Sequence, residues 1–341
     1  MLTQLDYAEV WRGISHAGYW FLAVILIWVF LYMLNTAAWY LIIRSQEDRE
    51  TGRQGVKPFF LYKVTISGFA LNYATPGGLM GGEAYRIMAL APYLGTERAT
   101  SSVILYVMTH IFSHFWFWLL ALILFLLVSL TPCLPVSLNS PPYWGGVGGG
   151  AALLFILLGL WFFMVGYRKG LAVRVMNVLR HIPFVKGWAG GMVERHREQL
   201  DNIDRQIAAL HKQQPRTFVT CVLLELLCRI LSSMEIYFVL LVLQPSLPDF
   251  LNSLNSLNSL NSLTPCLLGF LVSFFILAFT SLFANLLFFI PLQLGGREGG
   301  FLMSATALGL SVSAGVFIAL IIRLRELIWT AIGLLLIKFS K

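Results

Sequence analysis

The stretch Pro76-Gly-Gly-Leu-Met-Gly-Gly-Glu83 breaks a long apolar segment, residues 58–94, in its middle. A second apolar segment, residues 266–310, is broken by Pro291-Leu-Gln-Leu-Gly-Gly-Arg-Glu298, and the two breaks share proline, leucine, glycine and glutamate in register. A backbone broken at membrane depth is tolerated only where protein buries it or a water-filled cavity lines it. The matching pair therefore predicts two internal breaks inside one membrane-embedded fold.

The surroundings of the two breaks match as well. An apolar half-helix precedes each break, and the short segment that follows it ends in Leu94-Gly95 or in Leu308-Gly309. Proline and glycine are the residues that end one half-helix and let the next begin. The residues predicted to form the two structural breaks are Pro76, Gly77, Gly78, Gly81, Gly82, Pro291, Gly295 and Gly296.

The composition places the rest of the chain in a membrane. Of the 341 residues, 58% are hydrophobic and 12% are charged, whereas soluble domains have about 45–50% apolar and about 25% charged residues. Apolar runs of about 20 residues, enough for a helix to cross about 30 Å of hydrocarbon, recur without the alternation of a barrel strand. The fold class is thus predicted to be all-α, as a polytopic integral membrane protein. Predicted spans fall at about 17–43, 99–130, 150–167, 217–243 and 312–337.

Basic residues predict the orientation of these spans. They cluster in residues 44–63 and 167–216, which should be cytoplasmic because lysine and arginine concentrate in cytoplasmic loops. Residues 131–149 carry no charge and residues 245–265 carry only Asp249, so both should face outward. The first broken segment then enters from the cytoplasm and the second from outside. This arrangement predicts two re-entrant hairpins in an inverted repeat, which is typical of transporters.

We therefore treat residues 1–341 as a single transmembrane domain. The first repeat covers about 17–130 and the second about 217–338, and a connecting span with an amphipathic cytoplasmic segment lies between them at about 150–214. The formal net charge of +8 comes from basic residues between apolar runs. Topology explains this excess better than a nucleic-acid partner does, so none is expected.

Helix ends predict the chemistry of the breaks. A half-helix that begins near Glu83 or Glu298 directs unpaired backbone N–H groups and a positive dipole end at the gap. An anion such as a lipid phosphate is the natural occupant. Arg86 and Arg297 would supply charge-assisted contacts to that phosphate. The alternative is that each glutamate caps its own helix and each arginine neutralises it.

Further charges occur within apolar helices, where each costs at least about 2.5 kcal/mol near the membrane centre. Glu225 and Arg229 are spaced as an i,i+4 pair, and they form either the wall of a headgroup path or a charge pair that locks helices together. Arg323 is expected near mid-depth and in contact with the headgroup, whereas Arg325 is expected to pair with Glu326.

Histidines and cysteines do not predict a metal site. His110 and His114 lie one turn apart without a third ligand, so a packing role is favoured over metal binding or proton flow. Cys133 and Cys266 both occur in Thr-Pro-Cys-Leu in predicted outward segments, where a disulfide or two free thiols are open alternatives.

Residues Asn72 to Arg86, together with Pro291 to Glu298 and the downstream Arg323, resemble the flippase-like transmembrane region of lysylphosphatidylglycerol synthases of the MprF type, in a stand-alone form. The resemblance implies a lipid-translocating domain of the bacterial inner membrane, with both breaks and the arginines near the lipid headgroup. It does not imply synthase activity, because the chain ends at Lys341 without a soluble transferase domain. Thr109-His110 stands where family members often have Glu-Arg, and Leu-Gln in the second break replaces small residues.

The leading hypothesis is a flippase for an anionic or aminoacylated phospholipid or a polyprenyl-linked lipid. The rivals are an intramembrane lipid-modifying enzyme, for which no catalytic motif is found, and a non-transporting scaffold for a lipid-synthesis partner. No cofactor and no metal are expected, and homo-oligomerisation stays open. The residues predicted to bind substrate are Glu83, Arg86, Glu225, Arg229, Arg297, Glu298 and Arg323.

Overall fold

Helices make up the fold, and no strand occurs among the described residues, which confirms the all-α fold class. The computed structural model describes residues 18–45, 55–75, 81–130, 153–161, 164, 215–243, 265–286 and 295–338. Their helices are α1 (Gly18–Ser45), α2 (Pro58–Ala74), α3 (Gly81–Leu94), α4 (Thr96–Leu130), α5 (residues 153–161), α6 (Pro215–Val242), α7 (Pro265–Leu286), α8 (Gly296–Ala307) and α9 (Val312–Lys338).

Four helices in the described part are long and apolar enough to cross a membrane. Their spanning stretches are Tyr19–Ser45 in α1, Thr96–Val128 in α4, Arg216–Val242 in α6 and Leu267–Leu286 in α7. Large apolar side chains such as Leu26, Leu127 and Leu335 are more than half exposed on the helix surfaces. Lipid is the solvent that such surfaces fit. The predicted membrane location is therefore supported.

The structure differs from the predicted spans at one place. The segment 266–310 was predicted as broken halves, but α7 has 22 residues and is about 33 Å long at 1.5 Å per residue, enough to cross by itself. Helix α9, Val312–Lys338, has nearly the bounds of the predicted span 312–337, but it is not among the four most apolar helices because Arg323, Arg325 and Glu326 lie in its middle.

The helix interruptions occur where the sequence predicts them. Helix α2 ends at Ala74, before Pro76, and α3 begins at Gly81; α7 ends at Leu286, and α8 begins after Gly295. Residues 76–80 and 287–294, which include Pro76, Gly77, Gly78 and Pro291, lie outside the described residues. Helices α3 and α8, at 14 and 12 residues, are too short to cross about 30 Å of hydrocarbon.

Two glycines end these short helices in the same way. Gly95 follows α3 and Gly309 lies just after α8, and both have φ of 83°. This left-handed conformation is accessible to glycine at little cost and is a common helix terminus. Both predicted Leu-Gly ends are thus helix ends in the structure.

Helix packing in the two halves of the chain corresponds pair by pair. Every closely packed pair has a counterpart when α1, α2, α3 and α4 are exchanged with α6, α7, α8 and α9 in order. For example, α2 packs on α3 as α7 packs on α8, and α2 packs on α9 as α7 packs on α4. The most extensive contact joins the two counterparts α1 and α6.

Helices α1 and α6 run antiparallel. The Cys221 thiol donates to the carbonyl oxygen of Ala38 at 3.3 Å, and the Cys228 thiol donates to that of Leu31 at 3.5 Å. Further along, the Trp20 ring stacks on Phe238 with centroids 5.8 Å apart. The later part of α6 therefore packs against the earlier part of α1.

Two further sequence predictions fall outside the described part of the chain. The amphipathic segment up to residue 214 is one. The other is the disulfide, since Cys133 and the side chain of Cys266 are not described.

Candidate functional site

Two groups of polar side chains lie among the helices that follow the breaks. The first polar group consists of Asn72, Glu83, Arg86, Tyr106, His110, Glu225 and Arg229. The second polar group consists of Tyr73, Glu235, Arg297, Glu298, Arg323, Arg325 and Glu326. Together they contain all seven residues that the sequence predicted to bind substrate.

Asn72 fastens the end of α2 to the start of α3. Its Oδ1 accepts a hydrogen bond from the backbone N–H of Gly82 at 2.8 Å, and its Nδ2 donates to Glu83 Oε1 at 3.0 Å. The bond to Gly82 satisfies one of the free N–H groups of a helix start, as a capping side chain does. A Cβ at Gly82 would clash with the carbonyl oxygen of Gly68, so glycine permits this close approach.

Arg86 is buried inside the first polar group at 1% exposure. Its Nη1 donates to Glu83 Oε1 at 2.9 Å, and its guanidinium carbon lies 4.7 Å from the Phe69 ring centroid and 5.3 Å from that of Tyr106. Arg86 Nε and Nη2, and Glu83 Oε2, have no hydrogen-bond partner among the described residues. Arg86 thus neutralises Glu83, as the alternative held, but the pair keeps unused bonding capacity.

Glu225 and Arg229 bind α4 and do not form the predicted i,i+4 ion pair in the described structure. Glu225 Oε2 lies 2.8 Å from His110 Nδ1, while Arg229 donates to Ser113 Oγ at 2.8 Å and to the His110 carbonyl oxygen at 3.1 Å. The partners on α4, His110 and Ser113, lie within hydrogen-bond distance of the two side chains. Both residues therefore join α6 to α4.

Arg323 is the centre of the second polar group. Its Nε donates to Glu298 Oε1 at 2.5 Å, and its Nη1 donates to the Tyr73 hydroxyl at 2.7 Å and to Glu326 Oε2 at 3.3 Å. Arg297 pairs with the same Glu326 through its Nη1. The contact to Glu298 places Arg323 beside the second break, and its contact with a headgroup stays a prediction.

Glu298 also caps α8. Its Oε2 accepts a hydrogen bond from the backbone N–H of Gly295 at 2.8 Å, and Gly295 adopts φ of 81°. Glu298 therefore caps its own helix, as the alternative held. At the first break Asn72 accepts the hydrogen bond from the helix start, and Glu83 pairs with Arg86.

Arg325 pairs with Glu235 and not primarily with Glu326, which corrects the sequence prediction. The guanidinium donates to both carboxylate oxygens of Glu235, at 2.6 and 3.0 Å, and its nearest distance to Glu326 is 3.8 Å. A bidentate geometry favours the Glu235 contact, since it forms two charge-assisted bonds at once. The pair is buried and joins α6 to α9.

The two groups meet at the end of α2. Asn72 binds Glu83, beside the first break, and its chain neighbour Tyr73 binds Arg323, which binds Glu298 beside the second break. Neither residue was predicted as a contact. Asn72 lies inside α2, nine residues before α3 begins, so neither it nor Tyr73 offered a local capping signal.

One hollow of about 170 Å³ lies beside the first polar group, between α4, α5 and α7. His114 and Trp118 form part of its wall on α4, and Asn285 and Leu286 form its wall at the end of α7, where the second break begins. Among the described residues, no group of three histidine, cysteine, aspartate or glutamate side chains is placed to hold a metal ion.

Comparison with known proteins identifies one family. The model described as the lysylphosphatidylglycerol synthase TM region matches residues 1–254 of the 341-residue chain. The matched part runs from α1 to α6 and includes the first break. Comparisons with curated proteins and with solved structures found no match.

Proposed function

Because the chain belongs to the family of the lysylphosphatidylglycerol synthase TM region, which indicates a membrane function related to lipid, we propose that it is a lipid flippase. Its cargo would be an anionic or aminoacylated phospholipid or a polyprenyl-linked lipid, moved between the leaflets of the bacterial inner membrane. A flippase leaves its lipid chemically unchanged, so the proposal includes that the protein is not an enzyme.

The observation that carries the proposal is the continuous path of contacts between the two breaks. It runs from Glu83 through Asn72 and Tyr73 to Arg323 and Glu298. Transporters with broken helices build their substrate site where the paired breaks meet. A phosphate headgroup at this meeting point would contact Arg86, Arg297 and Arg323, with Glu225 and Arg229 on the inner wall.

The packing supports an inverted repeat. Each close helix contact in the first half has its counterpart in the second, and the counterparts α1 and α6 run antiparallel. A half-turn about an axis in the membrane plane would produce both features. Under this proposal α2 with α3, and α7 with α8, are equivalent hairpins whose short second helices end inside the membrane.

The two breaks also differ in exposure, as alternating access requires. The side chain of Arg297 is 25% exposed and that of Arg86 is 2% exposed, whereas the two glutamates differ less, with Glu298 at 35% and Glu83 at 23%. The headgroup site would thus be reachable from the second break while Arg86 at the first break is closed off. Tilting of one half against the other would exchange their states, so that a headgroup entering at one break leaves at the other.

The test is leaflet exchange of a labelled anionic phospholipid in vesicles that contain the purified protein. Arg86→Ala and Glu298→Ala should each abolish exchange, because each removes a headgroup contact or the helix end that presents it. Arg216→Ala and Glu97→Ala are matched controls, since both side chains belong to exposed residues away from the breaks, and they should keep wild-type rates.

The same vesicles separate the rival functions. Formation of a new lipid species would favour the enzyme, and neither product nor exchange would favour the scaffold. Unchanged exchange in both Arg86→Ala and Glu298→Ala, with each variant monodisperse, would falsify the site assignment.

A further inference from the structure

A carboxylate with unused bonding capacity lies deep in the first polar group. Glu225 is 1% exposed, and its Oε2 lies 2.8 Å from His110 Nδ1. Its Oε1, which is also buried, has no hydrogen-bond partner in the part of the chain that the structure describes. A buried carboxylate oxygen without a hydrogen bond is costly, so this oxygen has capacity for a further partner.

The charged and titratable side chains that face this pair come from three helices. They are Arg86 on α3, Tyr106 and His114 on α4, and Cys221, Cys228 and Arg229 on α6. Helices α1, α2 and α7 contribute Asn35, Phe69 and Phe274 to the surroundings of α4 and α6, none of which titrates. With Glu83 included, the group holds two arginines and two glutamates, so it is neutral when both histidines are neutral.

The His110–Glu225 contact can exist with either partner protonated. A neutral His110 with a proton on Nδ1 donates to an ionised Glu225, and a protonated Glu225 donates to an unprotonated Nδ1. A further proton has an open acceptor at Glu225 Oε1, which has no partner among the described residues. The pair can thus take up and release one proton without losing the hydrogen bond that joins α4 to α6.

A route to the pair runs from the hollow between α4, α5 and α7. His114 lies in the wall of that hollow, and its ring meets the His110 ring edge to face with centroids 5.6 Å apart. His114 Nδ1 is buried and has no partner among the described side chains and backbone. On the other side of the pair, Tyr106 lies between His110 and Arg86. Arg86 in turn donates a hydrogen bond to Glu83 beside the first break.

We propose that His110 and Glu225 form a proton-binding site, loaded through His114 from the hollow, and that proton binding there drives lipid movement. This inference rests on the proposed flippase function. A proton moves from water in the hollow to His114, then to His110 and Glu225, and it leaves when the two halves exchange access. The added positive charge beside Arg86 and Arg229 favours a bound anionic headgroup, which couples the two movements.

The experiment imposes a pH difference across vesicles that contain the full chain and a labelled anionic phospholipid. Wild-type protein should drive the label to an unequal distribution between leaflets. With one proton per lipid, the ratio should shift about tenfold per pH unit, because one unit corresponds to about 1.4 kcal/mol. Reversing the pH difference should reverse the distribution.

Glu225→Gln preserves the size of the side chain and a hydrogen bond to His110 but cannot take up a proton. It should give a leaflet ratio of one at every pH difference, whatever its exchange rate. Glu97→Gln, the same change at an exposed position of α4, should keep the wild-type ratio. His114→Gln should slow the approach to the final ratio without changing it.

A wild-type ratio of one at every pH difference, with exchange intact, would overturn the coupling and leave the flippase standing. If exchange itself is absent, the proposed function fails, and infrared titration of the purified protein decides the proton site. A protonated-carboxyl band that titrates in wild type and is absent in Glu225→Gln supports the site. The same band in both proteins, or in neither, overturns it.

Discussion

The two polar groups lie beside breaks that share proline, leucine, glycine and glutamate in register, yet the hydrogen bonding of their side chains differs. The second group is partly exposed at Arg297 and Glu298, and none of its side-chain atoms is both buried and unpartnered in the described structure. Three of the seven residues in each group are buried, but the first group holds buried, unpartnered atoms on Glu83, Arg86, Tyr106 and Glu225 within the described residues. Burial normally demands complete hydrogen bonding, so the first group departs from the usual pattern.

The difference teaches that a Pro/Gly break does not by itself define a site. The neighbouring helices decide what the break can do. Around the second break, α9 supplies both cations and anions, and three arginines meet three glutamates. Within the first polar group as described, α4 supplies His110 and Tyr106 and no further cation or anion, so Arg86 and Glu225 keep side-chain atoms without a partner there.

The largest effect on stability is expected from the second polar group. Arg325→Met should lower the free energy of unfolding by about 3–5 kcal/mol, because it leaves Glu235 buried without a cation. Unfolding by a denaturing detergent, followed by circular dichroism, measures the loss. The double variant Arg325→Met/Glu235→Leu should recover most of it. If Arg325→Met were as stable as wild type, the buried Glu235 would not depend on Arg325, and the expectation would be wrong.

The matching change in the first group should cost less. Arg86→Met removes one hydrogen bond to a charged partner, and Glu83 stays 23% exposed and keeps its bond from Asn72. The expected loss is about 1.5–3 kcal/mol, the range for a hydrogen bond to a charged group. The same unfolding assay measures it. A loss equal to or greater than that of Arg325→Met would break the comparison between the groups.

The sequence predicted the breaks and their charged residues because proline, glycine and intramembrane charge are local signals. The interruptions near Gly81 and Gly295 and the glycine ends at Gly95 and Gly309 were all predicted in place. Pairing between helices was not predictable in the same way. Arg325 pairs with Glu235 because α9 packs on α6, and Glu225 pairs with His110 because α6 packs on α4. The spacing of residues within one helix does not predict which residue of another helix lies opposite.

Close helix approach at the first break supplies the third prediction. A Cβ at Gly82 would meet the Gly68 carbonyl oxygen, so Gly82→Ala should push α3 from α2 and cost about 1–3 kcal/mol. Gly299 in α8 is the control, because no atom lies within 4 Å of a Cβ added there. Gly299→Ala should leave stability unchanged or raise it by up to about 1 kcal/mol. If both variants lost the same free energy of unfolding, close helix approach would not distinguish Gly82 at the first break from Gly299 at the second.

The smallest effect concerns the residue that joins the two groups. Tyr73→Phe removes the hydroxyl that accepts from Arg323 at 2.7 Å, but Arg323 keeps Glu298 and Glu326. The loss of stability should therefore be about 0.5–1.5 kcal/mol. Leaflet exchange should slow much more than this small loss suggests, because the proposed flippase mechanism couples the two breaks through this hydroxyl. Wild-type exchange in Tyr73→Phe would mean that the breaks work independently, and the comparison would then describe two separate sites.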